Sequence, residues 1–321
     1  MLIKLVKIVS VILMEWNSIR TLKGHSNKVL CLVNVRDGSL ASASYDNTIK
    51  IWNISTGECI RTITGHLSSV CCIIQLKDDR LASGSYDNTI KLWNIDSGEC
   101  IRTITGHTSW VYSIIQLMDA SIATGSTDKS IRVWNIATGT CLKQLKGHTS
   151  TIYSVLQLKD SSSPLLSASN DNTIKVWDLE AELCVMTLKG HVNTVYCIIQ
   201  VRDGSLASAS YDNTIKIWNV STGECIKTIT GHLSSVCCII QLKDDRLASG
   251  SYDNTIKLWN IDSGECIRTI TGHEGAVHSI IQLKDGSIAT GSHDSSIMVF
   301  KEVEKTSSFN PLSYLFPIKF S

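Results

Sequence analysis

Apolar and polar residues follow one another in this chain in a pattern that predicts short β-strands separated by tight turns. Residues 69–75 (SVCCIIQ) are a mostly apolar run, 80–85 (RLASGS) a strand of small residues, 89–93 (TIKLW) an alternating strand and 100–105 (CIRTIT) a fourth strand. Turns rich in Asp, Asn and Gly lie between them. No convincing helical period occurs between residues 18 and 301, so the pattern predicts an all-β protein.

The same four-strand unit recurs seven times along the chain. Each unit opens on a Gly-His pair, and an aromatic residue follows the histidine after 27 residues, or 29 in the fourth unit. Successive Gly-His pairs are 41 residues apart, except for one step of 43 that includes a polar Ser/Pro stretch at 160–164, which predicts a lengthened hairpin loop. A fixed period of this length predicts a seven-bladed β-propeller with one four-stranded antiparallel blade per unit.

The two ends of the repeat region predict how the ring closes. The seventh unit supplies strands at 277–282, 287–292 and 296–300 but no fourth strand, whereas residues 18–23 (SIRTLK) carry the fourth-strand pattern with no strands before them. An N-terminal strand in the last blade would complete that blade and remove two open sheet edges. The predicted organisation is therefore an apolar leader at 1–17, a propeller at 18–301 and a Pro-broken tail at 302–321. Residues 1–14 also resemble a short signal sequence, but no small-residue cleavage site follows them, which favours the leader.

With Gly-His and Trp-Asn or Trp-Asp pairs at these spacings, the chain resembles the WD40-repeat family over residues 18 to 301. In that family a histidine, a Ser or Thr, an Asp and a Trp of each blade form a buried hydrogen-bonded set, called here the tetrad. The resemblance assigns the tetrads to His25, Ser42, Asp46 and Trp52; His66, Ser83, Asp87 and Trp93; His107, Thr124, Asp128 and Trp134; His148, Ser167, Asp171 and Trp177; His191, Ser208, Asp212 and Trp218; His232, Ser249, Asp253 and Trp259; and His273, Thr290, Asp294 and Phe300.

The tetrads contain the residue types of a nucleophilic triad, which makes an enzyme the alternative interpretation. A catalytic set is needed once, whereas residues that occur in all seven blades serve the fold that the blades share. We therefore expect no enzymatic activity and no cofactor. Phe300 departs from the pattern because it lacks an indole N–H, so we expect blade 7 to be held less tightly and its tetrad to retain an unsatisfied partner.

Composition narrows the range of ligands. The formal net charge of +1, with dispersed Lys and Arg, gives no electrostatic footprint for nucleic acid as the main ligand. Twelve cysteines occupy repeated positions in the first and fourth strands, with no zinc-site spacing, which predicts small buried thiols in a reducing, cytoplasmic or nuclear compartment. We predict no metal site, although His278 and His293 leave a two-histidine site as a further hypothesis.

The resemblance also implies that ligands bind the face where the loops between blades and the second hairpin of each blade emerge. Two positions per blade are expected there, and none of the fourteen is Arg or Lys, unlike relatives that bind phosphorylated peptides. Residues 37–107 recur at 203–273 with two changes, so a unique site must use what was not copied. We predict a peptide platform, with Trp110 to Tyr196 as its centre, made of Trp110, Tyr112, Tyr153, Tyr196, Tyr45, Tyr86, Tyr211 and Tyr252.

These observations predict a non-catalytic scaffold or adaptor that binds a partner protein or peptide. We expect a monomeric propeller within a larger complex, without a membrane span. The alternatives are a substrate receptor that acts with a ubiquitin ligase in trans, suggested by resemblance to F-box propeller proteins, and a propeller enzyme that uses the central channel.

Overall fold

The computed structural model describes residues 13–35, 37–159 and 164–305, and these contain twenty-eight strands. The first strand, β1, is Leu13–Leu22. Blade 1 contains β2 Val29–Asn34, β3 Leu40–Ser44, β4 Ile49–Trp52 and β5 Cys59–Ile63. Blade 2 contains β6 Val70–Gln75, β7 Leu81–Ser85, β8 Ile90–Trp93 and β9 Cys100–Ile104, and blade 3 contains β10 Val111–Gln116, β11 Ile122–Ser126, β12 Ser130–Trp134 and β13 Cys141–Lys146.

The second half of the chain continues the same order. Blade 4 contains β14 Ile152–Gln157, β15 Leu165–Ser169, β16 Ile174–Asp178 and β17 Leu183–Leu188, and blade 5 contains β18 Val195–Gln200, β19 Leu206–Ser210, β20 Ile215–Trp218 and β21 Cys225–Ile229. Blade 6 contains β22 Val236–Gln241, β23 Leu247–Ser251, β24 Ile256–Trp259 and β25 Cys266–Ile270. The last three strands are β26 Val277–Gln282, β27 Ile288–Ser292 and β28 Ile297–Lys305.

The described strands form seven antiparallel sheets of four strands, which confirms the predicted propeller. The four strands of a blade are termed a to d from the innermost to the outermost. Strand a of every blade contacts strand a of the next, and β26 contacts β2, so the ring is closed. The b–c turns and the d–a loops emerge at one end of the blades, termed the top face. The a–b and c–d turns emerge at the other end, termed the bottom face.

The N-terminal strand completes blade 7, as the sequence predicted. Strand β1 pairs with β28 from Leu13 opposite Lys305 to Leu22 opposite Ile297. Both strands extend further than the expected boundaries at 18 and 301. The physical reason lies at the bottom face, where Trp16 packs against the apolar cluster between blades 6 and 7 and Arg246 forms a bidentate ion pair with Glu302. The rest of the predicted leader and tail, 1–12 and 306–321, and loop residues 160–163 lie outside the described residues.

Apolar clusters fill the space between adjacent blades. At the junction of blades 7 and 1, for example, Leu22, Trp52 and Ile297 belong to one buried cluster. The alternation of apolar residues along strands b and c produces these clusters, because both faces of each blade are covered by neighbouring blades. Packing is tight enough to require glycine on strand b: a β-carbon on Gly84 would lie 2.6 Å from a methyl carbon of Val111.

The prediction of buried cysteines holds for only one of the two groups. Cys71, Cys72 and Cys238 of strand a are buried, and burial raises the pKa of these thiols. The strand d cysteines were predicted wrongly: Cys184 is half-buried and the other five are exposed, namely Cys59, Cys100, Cys141, Cys225 and Cys266. Strand d is the outer edge of each blade, so no neighbouring strand covers its outward side.

Candidate functional site

Every blade contains the hydrogen bonds that the resemblance implied between its tetrad residues. In blade 2, His66 Nδ1 lies 2.7 Å from Asp87 Oδ2, and His66 Nε2 lies 2.7 Å from Ser83 Oγ. The indole N–H of Trp93 donates to the same Ser83 oxygen at 2.8 Å. The chain of bonds runs from strand c through strand b to the d–a loop, and so fixes the top of the blade.

The tetrad Asp joins the two kinds of segment that form the top face. Asp87 accepts hydrogen bonds from the His66 ring and the Leu67 amide in the d–a loop, and from the Thr89 amide and hydroxyl in the b–c turn. Burial acts to raise the pKa of Asp87, but these hydrogen bonds outweigh it and hold the pKa far below its ordinary value. The carboxylate therefore stays ionised and holds the neighbouring residue, Tyr86, in place.

Blade 7 tolerates Phe300 better than the sequence suggested. Thr290 Oγ1 lies 2.8 Å from His273 Nε2 and 3.3 Å from the Met298 carbonyl oxygen, so its hydroxyl has partners without an indole. The expectation of an unsatisfied tetrad partner was wrong, because a hydroxyl carries one donor and the histidine already accepts it. Blade 7 lacks one hydrogen bond but has no orphaned donor at Thr290.

The second residue of strand a reaches the top face because of a β-bulge that occurs in every blade. The ladder between strands a and b shifts at this position, for example between Val111 and Ser113, which leaves Tyr112 outside the regular pairing. A bulge re-aims the side chain of the extra residue. The seven residues placed in this way are Leu30, Cys71, Tyr112, Tyr153, Tyr196, Cys237 and His278.

The aromatic residues predicted to bind a partner lie together on this face. Tyr86 stacks on Trp110, with ring centroids 4.1 Å apart and an interplanar angle of 10°. Each further ring contacts the next at centroid distances between 4.7 and 6.2 Å. We call this set the tyrosine arc; its members are Tyr45, Tyr86, Trp110, Tyr112, Tyr153, Tyr196 and Tyr211. The eighth predicted residue, Tyr252, contacts His278 instead.

The arc combines a rigid base with exposed rings. Tyr86, Tyr112, Tyr153 and Tyr196 are half-buried, and the hydroxyls of Tyr86 and Tyr112 are 2.7 Å apart. Burial raises the pKa of Tyr86 and Tyr112, so both phenols are neutral and able to donate. Trp110, by contrast, remains 43% exposed on top of Tyr86. An exposed indole fixed by stacking loses little conformational entropy when it is covered by a ligand.

A cationic corner, which the sequence analysis missed, continues the ring of aromatic residues between blades 7 and 1. It consists of Lys28, His278 and His293. The Lys28 ammonium lies 5.4 Å from the centre of the Tyr45 ring, and the His278 and His293 rings are 5.9 Å apart. Burial, then His293 and Lys28, lower the pKa of His278 to about 4, so this imidazole is neutral at physiological pH. Lys28 precedes strand a, at the position that Trp110 occupies in blade 3, and the fourteen-position survey left that position out.

The described residues include no cluster of three or more His, Cys, Asp or Glu side chains arranged to hold a metal ion. The two histidines of the cationic corner therefore form a pair without a third protein ligand of these types in that part of the chain. Over the same described ranges, the structure has no helix that is long and apolar enough to cross a membrane.

Comparison with known proteins agrees with this geometry. The family model "WD domain, G-beta repeat" matches seven segments: residues 16–53, 57–94, 98–135, 139–178, 182–219, 223–260 and 264–301. The chain belongs to the WD40 family. Among solved structures, the WD40 propeller is similar to the "WD40 beta propeller domain of Doa1", with a TM-score of 0.82, 27% sequence identity, and coverage of 90% of this chain and 97% of that one.

Curated relatives match the WD40 propeller over about one repeat. The "Probable E3 ubiquitin ligase complex SCF subunit sconB" of Emericella nidulans is 58% identical over 41 residues, and "scon-2" of Neurospora crassa, also named as an SCF subunit, is 63% identical over 38 residues. These matches cover 13% and 12% of this chain and 6% of each relative. WD40 propellers are protein-interaction scaffolds and are generally non-catalytic, and this is the function that the family supports.

Proposed function

We propose that this WD40 propeller is a non-catalytic adaptor whose protein partner docks on the tyrosine arc. The observation that carries the proposal is the Tyr86–Trp110 stack, which holds an exposed indole at one end of a continuous series of rings. Tyr and Trp dominate the binding energy of protein interfaces, because they bury a large area from few rotatable bonds. The arc also includes blades 3 and 4, which the internal duplication did not copy.

The non-catalytic part of the proposal rests on the accessibility of the tetrad hydroxyls. Ser83 and the equivalent Ser or Thr of each blade are completely buried, and their oxygens accept an indole N–H in six blades. A nucleophile must reach its substrate, and these hydroxyls face the protein interior. The free thiols of the twelve cysteines support the proposed cytoplasmic location.

Similarity to SCF subunits favours a ubiquitin-ligase role only weakly. Each match is one repeat long, and WD40 repeats share their tetrad and strand pattern whatever they bind. We therefore keep the partner class general, and we propose a monomeric propeller within a larger complex.

Quantitative affinity enrichment with variants of equal fold tests the proposal. Trp110→Ala and Tyr153→Ala change the arc, and Leu142→Ala, which truncates an exposed strand d residue of blade 3, is the matched control. Loss of a true anchor costs about 2 kcal/mol or more, so we expect partner recovery to fall roughly thirtyfold for an arc variant and to stay unchanged for the control. Full retention of every partner by both arc variants, at native melting temperature, would place the interface elsewhere.

A further inference from the structure

A cationic side chain spans the bottom of six of the seven blade junctions in the described structure. It comes from strand d of one blade and reaches the c–d turn of the next. Arg61 donates to the Ser97 carbonyl at 3.0 Å and Arg102 to the Thr138 carbonyl at 2.9 Å. Lys143 and Lys227 contact the carbonyls of the equivalent turns, Arg268 reaches the Met14 carbonyl at the start of β1, and Arg20 packs against the turn of blade 1. We call this side chain the junction cation.

The junction of blades 4 and 5 lacks this cation. Strand β17 carries Met186 where the other blades carry Arg or Lys, and the Met186 sulfur lies 3.1 Å from the position that a β-carbon on Gly223 would take. A thioether has no N–H, so Met186 cannot donate to the turn carbonyls. The blade 5 turn therefore receives no hydrogen bond from the side chain that occupies this position.

The internal duplication shows that the blade 5 turn suits a guanidinium group. Residues 219–224 repeat residues 53–58 with Val220 in place of Ile54 as the single change. In the first copy Arg20 lies over the turn, with its Nη1 3.1 Å from the β-carbon position of Gly57. One turn sequence thus occurs twice in the molecule, once beneath a cation and once beneath a thioether.

A groove of about 1040 Å³ lies at the junction that has no cation. Its apolar wall includes Leu179, Val185 and Ile226, and the last two are about 60% exposed. Acidic residues border it, and no Lys or Arg is among its described lining residues; the acidic ones are Asp178, Glu180 and Asp203. Hydrogen bonds from the backbone amides of Ala181 and Glu180 lower the pKa of Asp178, so its carboxylate is ionised at neutral pH.

We propose that this groove binds a partner segment in which an Arg or Lys stands beside a branched aliphatic residue. The cation occupies the place over the blade 5 turn that Arg20 occupies over the blade 1 turn, and is attracted by Asp178, Glu180 and Asp203. The aliphatic residue covers Val185 and Ile226. Because the groove opens at the bottom face and the tyrosine arc lies at the top, the two sites bind separate segments, which is what a scaffold requires.

Fluorescence anisotropy with a labelled Gly-Val-Arg-Val-Gly peptide tests the proposal on the full chain. The matched probe replaces Arg with citrulline, which keeps the shape and removes the charge. We expect saturable one-site binding of the Arg peptide and at least tenfold weaker binding of the citrulline peptide. Met186→Arg supplies the junction cation from within the chain and should weaken binding at least tenfold, whereas Met186→Leu should bind like the natural protein.

A reciprocal variant makes the test independent of how Met186→Arg folds. Arg20→Met removes the junction cation above the first copy of the turn and should raise the stoichiometry from one peptide to two. Asp203→Asn should weaken binding at the natural groove without creating a second site. Absent binding, equal binding of the citrulline peptide, or binding that Trp110→Ala abolishes and Met186→Arg leaves intact would overturn the proposal. A concentration-dependent dimer that Met186→Arg abolishes would overturn it too, and would assign the groove to a second copy of the chain.

Discussion

Closure of the ring depends on a strand that lacks a covalent connection to its neighbour in the sheet, and Leu22→Ala tests its contribution. Leu22 is the last residue of β1; it lies opposite Ile297 of β28 and is 1% exposed. Leu188→Ala is the matched control, because Leu188 ends strand d of blade 4, lies opposite Ile174 and is also 1% exposed. Both changes remove the same buried atoms from the same position of a blade.

The expected cost is similar in size but different in kind. Truncation of a buried Leu to Ala costs about 2–5 kcal/mol, the sum of the lost transfer free energy and the cavity left behind. In blade 4 the c–d turn keeps strand d beside its partner, so the loss appears as reduced global stability. In blade 7 the strand can separate alone, because only pairing and packing hold it, so the same loss appears as local opening.

Amide hydrogen exchange distinguishes the two outcomes. A cost of about 2–5 kcal/mol converts to roughly thirtyfold to several-thousandfold faster exchange of the β28 amides in Leu22→Ala. In Leu188→Ala, we expect β28 to lose protection only to the extent that the whole protein does. Opening also exposes the edge of β28, which favours association at high concentration. Unchanged β28 protection in Leu22→Ala would refute the argument that pairing with β1 is what holds the ring closed.

Two further predictions concern the tetrads. Trp259→Phe removes the hydrogen bond to Ser249 and should destabilise the protein by at least about 1 kcal/mol, while Phe300→Trp should add up to about 1 kcal/mol in urea unfolding; the opposite order would contradict the role given to the indole N–H. Burial lowers the pKa of His232 and His273 despite their Asp partners, so the unfolded chain binds protons first and stability should fall as pH drops below about 6.5. Hydrogen bonds from Thr255 and His232 outweigh the burial of Asp253 and lower its pKa to about 2, so a second loss should begin below about pH 4; urea midpoints that rise on acidification from pH 7 to 5 would be inconsistent with both signs.

The repeat fixed most of the fold before any coordinates were available. Each blade carries its own strand pattern, turn residues and tetrad within about forty residues, so local sequence specifies local structure. Closure was also readable, because an orphan fourth strand at 18–23 and a missing one after Phe300 can be satisfied only together. The true ends of that closure, Leu13 and Lys305, depend on Trp16, Arg246 and Glu302, which are far apart in sequence.

What lies between blades was decided by tertiary structure alone. The sequence could list aromatic residues at repeated positions, but the stacking of Tyr86 on Trp110 depends on a strand a bulge and on the distance between neighbouring blades. Strand d cysteines read as buried because an apolar pattern does not show which side of a blade faces solvent. The substitution of Met186 for a junction cation was visible in the sequence, but its consequence, an acidic groove at one junction, appears only where β17 meets the turn of blade 5. Contacts between blades join residues about forty positions apart, and the periodic pattern within one blade carries no information about them.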